Sequence, residues 1–250
     1  AKRLGRGHTV TQTRELLSHI PSLKLRSWSA DLIFALPDQT LDQLDADLDS
    51  LLAANPPHVS LYGLSIEPGT PFDELARQGR LTLPEEEHWG AMYTRIVDRL
   101  SAAGLERYEV SNFARPGHRA VHNGQVWRGG HYAGLGPGAH GFLPSGERTL
   151  GHPTFEDWLA DPIPARETPS REETALDMLL STLRHVDGLH HALLQRSTGF
   201  EIDADVLADL IAHRLITTEA GHIRLTEASF PIADGIVRRI ADALVPSVEA

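Results

Sequence analysis

Cysteine is absent from all 250 residues. The chain therefore forms no disulfide, offers no thiol nucleophile and can hold no metal or iron–sulfur group through thiolates. Basic residues are outnumbered: 23 Lys and Arg stand against 34 Asp and Glu, a net charge of −11. That balance argues against a sequence-independent nucleic-acid binder, which needs a basic face to displace counterions, so no nucleic-acid partner is expected. No apolar run approaches the roughly 20 residues of a membrane span. The opening stretch Ala1-Lys2-Arg3-Leu4-Gly5-Arg6 has none of the apolar character of a secretory signal. A cytoplasmic location is the expectation. Internal repeats, low-complexity tracts and a G-x-S-x-G nucleophile elbow are missing too. What is present in ordinary amount is apolar residue, 41%, enough for one large domain or a large and a small one. Fourteen histidines are a surplus, read either as contacts to a metallocofactor or as surface and loop residues.

Apolar spacing organises the first part of the chain. Thr9–Ser18 reads as a short helix with Thr9 or Thr11 as cap. Ser29–Leu36 is a buried strand ended by Pro37. Leu41, Leu44, Leu48, Leu51 and Leu52 space an amphipathic helix that Pro56-Pro57 stops. His58–Ser65 is a second strand. Pro84 and the acids behind it open a helix reaching Ala103, and Gly104 ends it. Leu105–Asn112 reads as a third strand. Strand, helix, strand, helix, strand is the order of parallel β/α units, too few here to close a barrel. Residues 114–161 are dense in Gly and Pro and read as loop-rich site structure, and Pro162–Pro169 reads as a linker. From Ser170 onward the pattern is helical, opened by a capping box at Ser170-Arg171-Glu172-Glu173, with helices near 171–184, 188–197, 203–214 and 229–245. A hairpin over 216–225 makes this part resemble a winged helix. The expected domains are residues 1–161 and 170–250.

Candidate chemistry gathers at a few places. Asp31, on a strand of a parallel fold, is placed either to accept hydrogen bonds from a ribose diol or to cap and pair within the fold. His122 and Trp127 lie close together: imidazole ligates iron and indole offers a flat apolar face, though a backbone-bonded loop His beside a packing Trp fits equally. Gly134–Gly141 carries no Lys-Ser or Lys-Thr, so it is no P-loop, and its glycines are read as a tight turn allowing close backbone approach. The flanking His131 and His140 show no distinctive ligand spacing. Glu85, Glu86 and Glu87 are explained by the positive end of a helix. His190-His191 is expected to be exposed. No residue is assigned a catalytic or metal-ligating role.

Five segments, in order, resemble one family. Asp31-Leu32-Ile33-Phe34-Ala35-Leu36-Pro37 is similar to the D-L-I-x-G-L-P segment of the radical S-adenosylmethionine family that contains the oxygen-independent coproporphyrinogen III oxidases and the HemW-type haem chaperones. Leu4-Gly5-Arg6-Gly7-His8 resembles its L-G-R-x-H stretch. Ser60 to Pro71 resembles its strand and E-P-G-T-P turn, and Tyr108 to Gly117 its Y-E-I-S-N-F-A-R-P-G strand. His122-Asn123-Gly124-Gln125-Val126-Trp127 is similar to the H-N-x-x-Y-W motif of the HemW branch. The departures are Val126 where the motif has Tyr, and Ala35 and Asp38 where glycines are common.

The resemblance implies an α/β fold: the C-terminal half of a partial, TIM-like radical S-adenosylmethionine barrel, followed by a small helical, winged-helix-like domain. It implies a HemW-type chaperone that binds haem and passes it to a target protein, any membrane association arising only through that recipient. The alternatives are an oxygen-independent coproporphyrinogen III oxidase and a cluster-free binding module. Arg6 would meet the methionine carboxylate of S-adenosylmethionine, Asp31 its ribose and Ser65 its adenine. His122, Asn123 and Trp127 would contact haem. The family's [4Fe–4S] cluster needs three thiolates that this chain lacks. The start at Ala1 rather than Met, with the incomplete barrel, leads to the expectation of a C-terminal part of a longer protein. Loss of the cluster is the alternative.

Overall fold

The computed structural model describes residues 7–247. The chain is mixed α/β, as expected, and its contacts divide it into two compact units, Ala1–Arg119 and Ala120–Ala250.

In the first unit, helix α1 (Val10–His19) starts at a capping box: Thr9 Oγ1 accepts from the Gln12 N–H, and Gln12 Oε1 accepts from the Thr9 N–H. Strands β1 (Ser29–Phe34) and β2 (His58–Gly63) pair in parallel, and α2 (Leu41–Ala53) is the crossover between them. A second capping box, Thr40 with Gln43, opens α2, whose buried side is Leu44, Leu48 and Leu51. Asn55 ends the crossover in the left-handed region at φ 51°. The E-P-G-T-P turn leads into α3 (Pro71–Arg77): Thr70 Oγ1 accepts from the Asp73 N–H, and the Gly69 N–H donates to Asp73 Oδ2 at 2.7 Å. Helix α4 (Glu86–Ala102) buries Met92, Tyr93, Ile96 and Leu100. Outside the core, Arg95 and Arg99 of α4 reach Asp45 of α2 at 2.7 and 3.0 Å. Such half-exposed pairs contribute at most about 1 kcal/mol each.

The expected third parallel strand is not formed. β3 (Glu106–Arg107) and β4 (Asn112–Ala114) make an antiparallel hairpin, and β4 runs antiparallel to β2. The cause is a local turn: the Tyr108 N–H donates to the Asn112 carbonyl at 3.1 Å, and the Glu109 carboxylate accepts the Ser111 N–H at 3.1 Å. The sheet order is β1-β2-β4-β3, which leaves β1 at an edge.

In the second unit, the stretch expected to be loop-rich contains helix α5 (Val121–Trp127), strands β5 (His140–Phe142) and β6 (Arg148–Leu150), and helix α6 (Phe155–Ala160). The expected linker contains β7 (Ala165–Glu167), which pairs antiparallel with β6. Helix α7 (Arg171–Thr182) opens at the expected capping box of Ser170 and Glu173. Then come β8 (Leu189–His190), α8 (His191–Thr198), β9 (Phe200–Ile202) and α9 (Ala204–Ala212). The expected hairpin is β10 (Ile216–Glu219) with β11 (His222–Leu225), and β8 adds a third strand to it. The helix expected over 229–245 is shorter. Pro231 sits in a 3-10 turn, α10 (Ala233–Ala241) follows, and β12 (Leu244–Pro246) pairs with β9. Leu179, Leu183, Leu189, Leu194, Leu210 and Ile240 are fully buried and form the heart of this unit.

Ala35 and Asp38 sit at φ 57° and 59°, so the two departures from glycine keep a left-handed backbone. Ala35 is also 1% exposed. Ala35→Gly should change stability by no more than about 1 kcal/mol, relief of the backbone offsetting the lost methyl. Ala35→Val, β-branched at positive φ and overpacked, should cost more than about 2 kcal/mol. Urea unfolding followed by circular dichroism measures both, and an unchanged midpoint for Ala35→Val would contradict this account.

Candidate functional site

Alternation along β1 and β2 sorts side chains to two faces of the first unit's sheet. Phe34, Val59 and Leu61 are buried, and the Phe34 ring lies 5.4 Å from Trp89 and 6.4 Å from Tyr93 of α4. Gly63 is required here, since a Cβ on it would meet the Trp89 indole nitrogen at 2.9 Å. The opposite face carries Ser29, Asp31, His58 and Ser60, with Ser29 paired to His58 and Asp31 to Ser60 in the ladder.

These polar groups form a hydrogen-bonded chain. Burial holds the His58 imidazole below its ordinary value, against the opposing pull of Asp31. Ser29 Oγ donates to Asp31 Oδ1 at 3.4 Å. His58 Nδ1 shares a hydrogen bond with Ser29 Oγ at 2.7 Å, and His58 Nε2 shares one with Tyr108 Oη at 2.8 Å. Asp31, exposed at the end of this chain, keeps acceptor capacity for a ligand's hydroxyl groups. Ser65 is exposed and donates to Glu67 Oε1 at 3.1 Å. It lies five positions beyond Ser60, the partner of Asp31, so up to roughly 16 Å separates the two along the strand direction. Arg6 lies outside the described residues.

In the second unit, α5 carries the His122–Trp127 segment, so His122 is a helix residue rather than a loop residue. His122 and Asn123 are exposed in its first turn, and Trp127 is half-buried in its last. The His122 ring stands edge-on to Tyr132 at 6.4 Å. Trp127 and Tyr132 both line a cavity of about 670 Å³ whose other walls include Phe142, Met178 and Leu193. Its size falls within the roughly 300–1,000 Å³ of sites for cofactor-sized ligands. His131 and His140 line it too. Among the described residues no cluster of three His, Asp or Glu is arranged to hold a metal.

The glycines before this cavity serve close backbone approach, as expected. A Cβ on Gly134 would meet the His140 carbonyl at 2.4 Å, and one on Gly141 would meet Thr149 Oγ1 at 2.4 Å. The acids Glu85, Glu86 and Glu87 stand at the start of α4. His190 and His191 are half-buried rather than exposed, because His190 Nδ1 caps α8 by accepting the Leu193 N–H at 3.3 Å.

No family model matches the chain. It is 30% identical over 245 residues to the heme chaperone HemW of Lactococcus lactis subsp. lactis, covering 95% of this chain and 64% of that protein. It is 37% identical over 216 residues to the heme chaperone HemW of Synechocystis sp., covering 82% and 52%. It is 34% identical over 192 residues to the mitochondrial radical S-adenosyl methionine domain-containing protein 1 of Danio rerio, covering 76% and 43%. The chain thus spans from under half to just under two thirds of the length of these relatives. Among solved structures, coproporphyrinogen III oxidase (HemN) from Escherichia coli shares the fold, with a TM-score of 0.72 at 17% identity over 95% of this chain and 60% of that one.

Glu109 went unnoticed in the sequence, although a lone acid between Tyr108 and Val110 is the available signal. It is fully buried, and one carboxylate oxygen and the Asn112 amide oxygen lack hydrogen-bond partners among the described residues. Burial pushes its carboxyl above the ordinary value of 4.5, outweighing the bonds from Ser111 and Asn112. The folded state then holds this proton longer than the unfolded state does. Stability is greatest below pH 4.5 on this account and declines as pH rises through the raised folded value. Glu109→Gln should flatten that decline in urea midpoints taken across pH. A variant whose midpoints track those of the parent at every pH would contradict it.

Proposed function

Because the chain belongs to the HemW/HemN-like family of radical S-adenosylmethionine proteins, we propose that it serves a HemW-type haem chaperone, binding haem and passing it to a target protein. The observation that carries this reading is the helix α5. It presents the His122 imidazole to solvent and, five residues on, places Trp127 in the wall of a cavity of cofactor size. Neutral imidazole is a common axial ligand to haem iron, and an indole face packs against a porphyrin. Asn123 is exposed beside His122 and supplies a hydrogen-bonding amide. An exposed ligand suits a carrier, which must release its cargo as well as hold it.

The polar face of the first unit is the proposed S-adenosylmethionine surface. Asp31 would accept from the ribose hydroxyls, held in orientation by Ser29 and His58. Arg6 would pair with the methionine carboxylate, and backbone groups near Ser65 would pass the adenine. A [4Fe–4S] cluster does not fit the residues of this chain, since no thiolate is available to it. Cluster ligation in a chaperone of this family therefore calls on residues other than these 250. Reductive cleavage of S-adenosylmethionine by the chain alone is excluded on the same ground. Dithionite and S-adenosylmethionine should yield no methionine or 5′-deoxyadenosine above a protein-free control, and their formation would contradict the reading.

Haem binding provides the more direct test. Titration of ferric haem followed in the Soret region should show His122→Ala weakened by about tenfold or more, the equivalent of about 1.4 kcal/mol. Equal affinity in parent and variant would remove His122 from the site. The alternative, an oxygen-independent coproporphyrinogen III oxidase, predicts vinyl products from coproporphyrinogen III in the intact protein with S-adenosylmethionine and reductant. The chaperone reading predicts none.

A further inference from the structure

We propose that the cavity of the second unit is a porphyrin-ring site, gripping the macrocycle by its faces and its carboxylates independently of the iron. The proposal rests on haem being the cargo. His122 is not among the residues that line the cavity; its ring stands edge-on to Tyr132, which does. Ligation of iron and capture of the ring are therefore separable in this fold.

The walls fit a flat apolar ligand. Trp127 and Phe142 provide rings, and Met178 provides a polarisable thioether that adapts to an aromatic face. Leu180 of α7 and Leu193 of α8 also line the cavity, and each is 42% exposed. Apolar side chains gathered around one concavity and left in water mark a place where something apolar is bound.

The lining also carries positive charge suited to a dicarboxylate. Arg128, Arg148 and Arg184 all line the cavity. They engage Asp187, Asp177 and Asp234 at 2.7, 2.5 and 2.7 Å, and Arg148 also reaches the exposed Glu167 at 3.0 Å. The aspartates are 48%, 55% and 82% exposed, so the pairs are screened by water and contribute little. A ligand carboxylate can take the place of an exposed aspartate at small cost, and a guanidinium fork offers it two parallel N–H donors where each aspartate now engages through one oxygen. Apolar walls with guanidinium groups among them match a porphyrin bearing propionates better than they match an apolar helix from another protein.

The test uses the 250-residue chain with ferric haem, metal-free protoporphyrin IX and the dimethyl ester of that porphyrin, read by Soret absorbance and tryptophan quenching. Metal-free protoporphyrin should bind within about tenfold of haem. His122→Ala should weaken haem alone. The double variant Leu180→Glu and Leu193→Glu should weaken both porphyrins by tenfold or more, with circular dichroism reporting its folding. Should that variant unfold, Arg148→Gln leaves the apolar wall intact and carries the test: it should weaken protoporphyrin and leave the dimethyl ester unchanged. Haem binding that survives every cavity variant, with no binding of metal-free porphyrin, would overturn the ring site and leave the chaperone reading standing. Failure of haem itself to bind would overturn both.

Discussion

The parallel pairing of β1 with β2 is the constraint on which the first unit depends. Side chains along a strand alternate between faces, so one register decision assigns every residue of both strands. Ser29 opposite His58 and Asp31 opposite Ser60 put four polar groups on one face, while Phe34, Val59 and Leu61 go to the buried side. A slip of one residue would bury Asp31 and expose Phe34, which is 1% exposed and packed against Trp89 and Tyr93. The apolar core on one side thereby holds a hydrogen-bonded chain from Tyr108 through His58 and Ser29 to Asp31 on the other.

The second unit rests on a different device. Helix α5 is only seven residues long, yet it carries both of the groups proposed to meet haem. Its first turn exposes an imidazole, and its last turn commits an indole to the wall of a cavity. Val126, standing where the family motif has Tyr, is half-buried between them. Whatever the phenol supplies in relatives, this chain has only an aliphatic contact there. The arginines lining the cavity keep their charges among exposed aspartates until a better carboxylate arrives.

Much of the architecture was legible because it follows from spacing and caps. The leucines of α2, the cap at Thr9, the capping box at Ser170 and the hairpin over 216–225 are local signals, and each names an element the structure contains. The misses share a physical cause. Strands β5, β6 and β7 are three residues each, too short for alternation to register, and their order comes from pairing across the chain. The segment 105–112 looked like one strand because Tyr108 and Val110 fall on one face at strand spacing. A side-chain turn at Glu109 folds it back instead, and that competition between side chain and backbone leaves no periodic trace. Of the residues singled out, Asp31 and His122 are exposed and Trp127 lines the second unit's cavity. The cavity was not legible, since Trp127, Phe142, Met178 and Leu193 meet only through folding.

Everything proposed for this chain turns on whether it takes haem as a defined cargo. The direct measurement is the stoichiometry of ferric haem bound by the 250-residue chain, read from its Soret band against a matched titration without protein. The account predicts a saturable shift with one haem per chain. A signal that grows linearly with added haem, or that saturates only at several haems per chain, would contradict it.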